Sequence, residues 1–235
     1  MYSKEINSSQ QGIHPNLEKV LLRHSQNVWL QPIKDHTKMA FAGLLEECRL
    51  QLESGFILDA GCGTGASSLL LTKQHPGKLI IGIDKSGQRL GRGEFSDTEK
   101  AELAGALVKR GNCVFLRAEI ADFLRLLKQR QLLPEKIYFY YPNPWPKPAH
   151  LMRRWHGHPV FPELLSLRAA IELRSNWKIY LDEFALASQI VGSCLPVLEQ
   201  LGEAELSAGF VSPFEQKYFR SGHALWKLTL PGDIF

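Results

Sequence analysis

A chain of 235 residues, 44% hydrophobic and 22% charged, has the makeup of an ordinary water-soluble globular protein, with room for one large α/β domain and an arm but not for two full domains. Its net charge of +4 and pI near 8.8 permit a polyanionic partner without requiring one. No apolar run approaches a membrane span, and the polar first twelve residues lack the apolar core of a signal peptide, so a cytoplasmic protein with no membrane partner is expected.

Residues 1–38 read as a partly ordered arm punctuated by Pro15 and Pro32, and residues 39–235 as the main domain. The later arm is basic (Arg23, His24, Lys34, His36, Lys38), suited either to folding over a substrate or to simple solvation. Met39 to Cys48 has helical spacing in Phe41, Leu44 and Leu45. Phe56-Ile57-Leu58-Asp59-Ala60-Gly61-Cys62-Gly63-Thr64-Gly65 then reads as a buried strand, a glycine turn and the start of a helix. Its G-x-G-x-G spacing differs from the G-x-G-x-x-G of dinucleotide sites, where the third glycine stands one residue later. Leu79 to Asp84 is a second apolar strand ending in an acid, placed where a ribose-binding carboxylate would stand in a βαβ unit.

Ser86 to Gly93 reads as a loop, and Ser96-Asp97-Thr98-Glu99 as a capping box that opens a helix from Asp97 to Lys109, ended by Gly111, with Leu103 and Leu107 on one face. Cys113 to Leu116 is a third strand, with Glu119 at its carboxyl end either facing a ligand or starting the helix Ala121 to Lys128. Lys136 to Tyr141 is a fourth, and it delivers the stiff segment Pro142-Asn143-Pro144-Trp145-Pro146-Lys147. From Lys147 to Lys178 six Lys or Arg residues face two acids, a local basic bias. Trp177 to Leu181 reads as a further strand ending at Asp182. Cys48, Cys62, Cys113 and Cys194 lie far apart and look like reduced core thiols. His156-Gly157-His158 lacks a matching ligand set and reads as surface or substrate-side, so no metal is expected.

The glycine turn led by Asp59, with Asp84, resembles the first motifs of class I S-adenosylmethionine-dependent methyltransferases. Pro142 to Lys147 resembles the D-P-W-x-K motif of the tRNA (guanine-N7)-methyltransferases, and His150, Arg153 and Arg154, then Asp182, then Phe214 to Lys217 and Gly222 to Trp226 resemble that family's later motifs in order. The likeness runs from about Gly55 to Leu230. It implies a Rossmann-like α/β fold, a doubly wound, mostly parallel seven-stranded sheet with flanking helices, of which the sequence itself supports at least five strands. It also implies S-adenosylmethionine at Asp59, Gly61, Gly63, Gly65, Asp84 and Glu119, and a tRNA substrate at Lys147, Arg153, Arg154, Asp182, Ser212 and Glu215, with Asn143 in the catalytic position. Three features depart from the family: Asn143 stands where an aspartate is usual, Ser212 replaces a threonine ahead of Pro213, and the run from Lys147 to Arg153 is less basic. Asn143-Pro144-Trp145 also resembles locally the N-P-P-[YFW] loop of enzymes that methylate exocyclic amines.

Overall fold

The computed structural model describes residues 2–105, 107–192 and 195–232. Among the described residues eight strands form a sheet, one more than the expected seven. By spatial clustering the chain divides into two compact units, Gln31–Tyr138 and Met1–Leu30 together with Phe139–Phe235.

The chain's first helix, α1 (Leu17–Gln26), buries Leu17 and Leu21 and packs on a later helix of the same unit. The Gln31–Tyr138 unit then runs α2 (Asp35–Glu53), β1 (Phe56–Ala60), α3 (Ala66–Gln74), β2 (Leu79–Asp84), α4 (Gly87–Leu90), α5 (Asp97–Gly105), β3 (Leu107–Arg110), β4 (Cys113–Arg117), α6 (Ile120–Gln129) and β5 (Lys136–Tyr140), whose last two residues belong to the other unit. Strand β1 lies parallel to β2 and β5, and β2 parallel to β4. Every residue of β1 and β2 is buried, which is why they read as unbroken apolar runs: a parallel strand covered on both faces has no wet side. Successive strands thus bring their carboxyl ends, with Asp59, Asp84 and the following Glu119, to one rim.

The extra strand corrects the helix expected to reach Lys109. Helix α5 stops at Gly105, and Leu107–Arg110 instead pairs antiparallel with β4, Leu107 opposite Leu116 and Arg110 opposite Cys113. The two-residue Gly111-Asn112 loop turns the chain, with Gly111 at φ 57°, and the Gly-Asn pair is itself a hairpin signal. Leu103 and Leu107, four apart, imitate a helical face. The capping box does form, Ser96 Oγ accepting from the Glu99 amide and Glu99 from the Ser96 amide. Part of the expected loop Ser86–Gly93 is the single turn α4.

The second unit continues through two short 3-10 turns, Pro148–Arg153 and Trp155–Gly157, to α7 (Phe161–Ser166), β6 (Ala170–Ser175), α8 (Lys178–Gly192), β7 (Val197–Gln200), α9 (Glu203–Ala208), α10 (Pro213–Arg220) and β8 (Trp226–Leu230). Strand β8 lies antiparallel to both β6 and β7. The strand expected at Trp177–Leu181 is therefore wrong: the strand is Ala170–Ser175, and Asp182 sits in helix α8. Tyr180, Leu181, Phe184, Ala187 and Ser188 form its buried stripe at helical spacing. Cys48, Cys62 and Cys113 are free and buried, and burial pushes the Cys113 thiol up to about 12; Cys194 lies outside the described residues.

Candidate functional site

In the Gln31–Tyr138 unit the glycine turn is built by its acids. Gly61, Gly63 and Gly65 have φ of 94°, 61° and 85°, a left-handed run that L side chains resist. Nothing lies within 4 Å of the point where a Cβ on Gly63 would stand, whereas one on Gly65 would meet the Phe115 ring at 2.6 Å. Gly63 thus faces open space, and Gly65 serves close packing. Asp84, 1% exposed, accepts from the Gly63 amide (3.1 Å) through one oxygen and from the Ser86 amide (2.8 Å) through the other. Burial raises its pKa, opposed by the Ser86 amide, the Arg89 guanidinium at 2.9 Å and the Gly63 amide. Because the Arg89 side chain is half exposed, it can swing aside and leave that oxygen to another donor.

Asp59 is turned inward. One of its oxygens accepts from Ser67 Oγ (2.6 Å) and Ser68 Oγ (2.7 Å), tying β1 to the first turn of α3. Burial lifts its pKa to about 6, against the pull of the two hydroxyls. Asp59 shapes the turn from beneath rather than presenting a carboxylate at its surface. Glu119 caps the start of α6: its amide donates to Thr37 Oγ1 and its partly exposed carboxylate pairs with Lys34 at 2.8 Å. The basic segment before α2 thus supplies Lys34 to this acid.

In the second unit the proline-rich loop is held at both ends. Tyr141 (φ 52°) and Trp145 (φ 46°) are left-handed without being glycine, a cost of about 1–2 kcal/mol each that surrounding bonds must offset. Between them, exposed Asn143 accepts from the Trp145 amide through Oδ1 (3.2 Å), a local turn that spends one amide lone pair on the loop itself. At the exit Arg154 donates to the Trp145 carbonyl (3.2 and 3.1 Å) and the Lys147 carbonyl (3.3 Å). The prolines remove donors, so these carbonyls need an external partner, and Arg154 is it.

Arg154, expected at the substrate, is thus bonded within the fold. It is fully buried, with Nη1 2.5 Å from Glu183 Oε2 and Nη2 bonded to Gln10 Oε1. Glu183 also accepts from Gln10, the His14 amide and His156 Nε2. Burial alone would raise the Glu183 pKa, but His156 and Arg154 outweigh it and bring it to about 2. Burial pulls the His156 pKa down against the pull of Glu183; its Nε2 bonds Glu183 while buried Nδ1 has no partner. The expectation of a surface or substrate-side His156 gives way to a core histidine. Arg153 and Lys147 are exposed, the former over the Trp145 ring at 4.7 Å.

At the loop's entry Glu215 plays the matching part. Fully buried, it accepts from the Val211 amide (2.8 Å), the Tyr141 hydroxyl (2.8 Å) and Arg174 (3.1 Å). Glu215, expected at the substrate, is thus bonded within the scaffold. Ser212 is the N-cap of α10, its Oγ accepting from the Glu215 amide (3.2 Å), and Asp182 pairs with Lys178 one turn back at 2.6 Å. Sequence reasoning missed Arg174, Glu183 and Tyr141; a charged pair inside a strand, Glu172 with Arg174, was the available sign of a buried network.

The fold is that of methyltransferases: a solved structure described as an antibiotic-related methyltransferase superposes with a TM-score of 0.53 at 15% identity, covering 78% of this chain and 92% of that one. A family model described as "Putative methyltransferase" matches residues 53–228, so the chain belongs to that methyltransferase family. Among its relatives, a tRNA (guanine-N(7)-)-methyltransferase of Neorickettsia sennetsu is 27% identical over 66% of this chain and 65% of its own length. Another of that name, from Photorhabdus laumondii, is 26% identical over 75% of this chain and 72% of its own. The chain thus spans just under two thirds of the first of these relatives. Among the described residues no helix is long and apolar enough to cross a membrane.

Proposed function

We propose that this protein is an S-adenosylmethionine-dependent methyltransferase that methylates guanine N7 in tRNA. The observation that carries the reading is the open glycine turn, with Gly63 unobstructed and its amide fixed by Asp84 at the rim of parallel strands. That arrangement fits a nucleoside cofactor: backbone can approach closely at Gly61 and Gly63, and Asp84 and Glu119 are acceptors for ribose and adenine donors. Asp59 acts through the turn that it braces. The relatives named above supply the choice of tRNA and of N7, and exposed Lys147 and Arg153 are the groups for its phosphates.

S-adenosylmethionine, when bound, supplies an electrophilic methyl on sulfonium. The chain's share is alignment and exclusion of water, since guanine N7 already holds a free lone pair. The rigid loop from Pro142 to Lys147 orients the base, with Asn143 offering its remaining amide lone pair to the base's N–H edge. An exocyclic-amine substrate is the second reading, because an amide oxygen beside a proline-fixed carbonyl is also what an amino group needs.

Purified protein is incubated with methyl-labelled S-adenosylmethionine and unmodified tRNA, and the RNA is digested to nucleosides. Labelled 7-methylguanosine is expected. A methylated exocyclic amine selects the second reading, and cofactor binding by calorimetry with no labelled nucleoside overturns both.

A further inference from the structure

Helix α10 carries an aromatic series that the proposed chemistry does not use. Tyr218 stacks on His223 (5.3 Å between centroids, 18° between planes), and Phe214 stacks on Tyr218 (6.2 Å, 27°). Tyr141, two residues ahead of Asn143, lies against Tyr218 at 5.5 Å. The inner rings have a structural explanation: Tyr141, Phe210, Tyr218 and Phe219 pack on the buried cluster Leu201, Leu206 and Leu225. Phe214 is not part of that packing and is 48% exposed. It ends the stack with a face toward solvent.

Two features of this surface specify what that face fits. Lys217, one helical turn from Phe214, and Arg220, a turn further on, are exposed and have no carboxylate partner among the described residues, so free cations continue the surface that begins at the ring. The helix is also fixed in place: the Ser212 cap and the bonds from Glu215 to Tyr141 and Arg174 tie its first turn to the start of the proline-rich loop. A rigid planar ring with free cations continuing its surface is the combination that binds unpaired nucleic acid, bases on the ring and phosphates on the cations.

We infer that Phe214 is a stacking platform for an unpaired nucleobase of the RNA substrate, with Lys217 and Arg220 holding the adjoining phosphates. The inference rests on the RNA reading above and adds a contact outside the methylated base's own loop. Stacking is nearly independent of salt, whereas phosphate contacts release counterions, so the two kinds of residue leave different signatures.

The test measures binding of an unmodified tRNA transcript by fluorescence anisotropy across a salt series, with S-adenosylmethionine affinity by calorimetry as a control for folding. Phe214→Ala and Phe214→Leu should weaken RNA binding about tenfold with the salt slope unchanged, and Phe214→Trp should retain it. Lys217→Gln and Arg220→Gln should each lower the slope by about one. If the parent binds RNA and Phe214→Leu binds equally well, the platform is refuted and the RNA reading stands. If the parent binds cofactor but no RNA, the RNA reading itself fails and takes the platform with it.

Discussion

The carboxylates of the glycine turn and those around the proline-rich loop are both buried, yet they are satisfied in opposite ways. Asp59 is held by two serine hydroxyls and Asp84 chiefly by backbone amides, with half-exposed Arg89 paired to it. Glu183 and Glu215 are matched by the buried guanidinium groups of Arg154 and Arg174. Neutral donors leave an acid electrically unspent and its pKa high, as at Asp59, near 6. An internal cation commits the acid to architecture, and at Glu183 His156 and Arg154 together outweigh burial and bring the pKa to about 2. The chemical type of a residue in a motif therefore says less about its task than does the partner it meets.

The largest effect should come from breaking an arginine-matched acid. Glu183→Ala leaves Arg154 buried without its counter-charge and should cost about 3–5 kcal/mol in urea unfolding, with Arg154→Ala similar. Because the folded pKa of Glu183 is depressed, its contribution is present above the unfolded value near 4.5 and lost as pH falls toward 2. The variant's deficit should shrink over that acid range; a deficit constant with pH would break the contrast.

Asp59 should behave in the opposite sense. A folded pKa of about 6, above the ordinary 3.8, means that ionising Asp59 works against the fold, so its stability contribution is fully present below pH 4 and falls as pH rises through 6. Between pH 4 and pH 7 the stability of Asp59→Asn relative to the parent should improve by about 2 kcal/mol. A relative stability that stays flat, followed by chemical denaturation, would show that the serines neutralise the burial.

Asn143→Asp sharpens the comparison at an exposed member of the loop. The substituted carboxylate keeps an oxygen for the Trp145 amide and offers a charged one to the base, so guanine-N7 methylation should rise about fivefold in single-turnover assays. A fall would favour the exocyclic-amine substrate. The smallest effects belong to Lys147→Gln and Arg153→Gln, each expected to lower the log–log salt slope of tRNA binding by about one, while conservative Arg154→Lys should act on stability instead.

Much of the first unit was legible because its chemistry is local. A glycine turn between two buried parallel strands announces itself within thirty residues, and Asp84 stands at its strand end as its position predicts. The second unit resisted because adjacent residues of one type do different work. Arg153 is exposed and Arg154 buried; Asp182 pairs at the surface of α8 while Glu183, a rotation of about 100° onward, faces the core. Sequence alone gives no phase to choose between such neighbours. Strand β6 was hidden for a related reason, its Glu172 and Arg174 neutralising each other inside what should have read as an apolar run.

The bonds of the first residues bear on how the chain comes to be folded during synthesis. The Ser3 amide meets Ser221, the Ser8 hydroxyl meets the Pro146 carbonyl, and Gln10 and His14 meet Glu183. Their unit therefore joins two stretches that are distant in sequence, whereas Gln31–Tyr138 is continuous. On the ribosome the continuous unit can close as soon as it emerges, while the stretch before residue 31 waits for partners translated more than a hundred codons later. A stretch that is made before its partners is thus among the later ones to find its place.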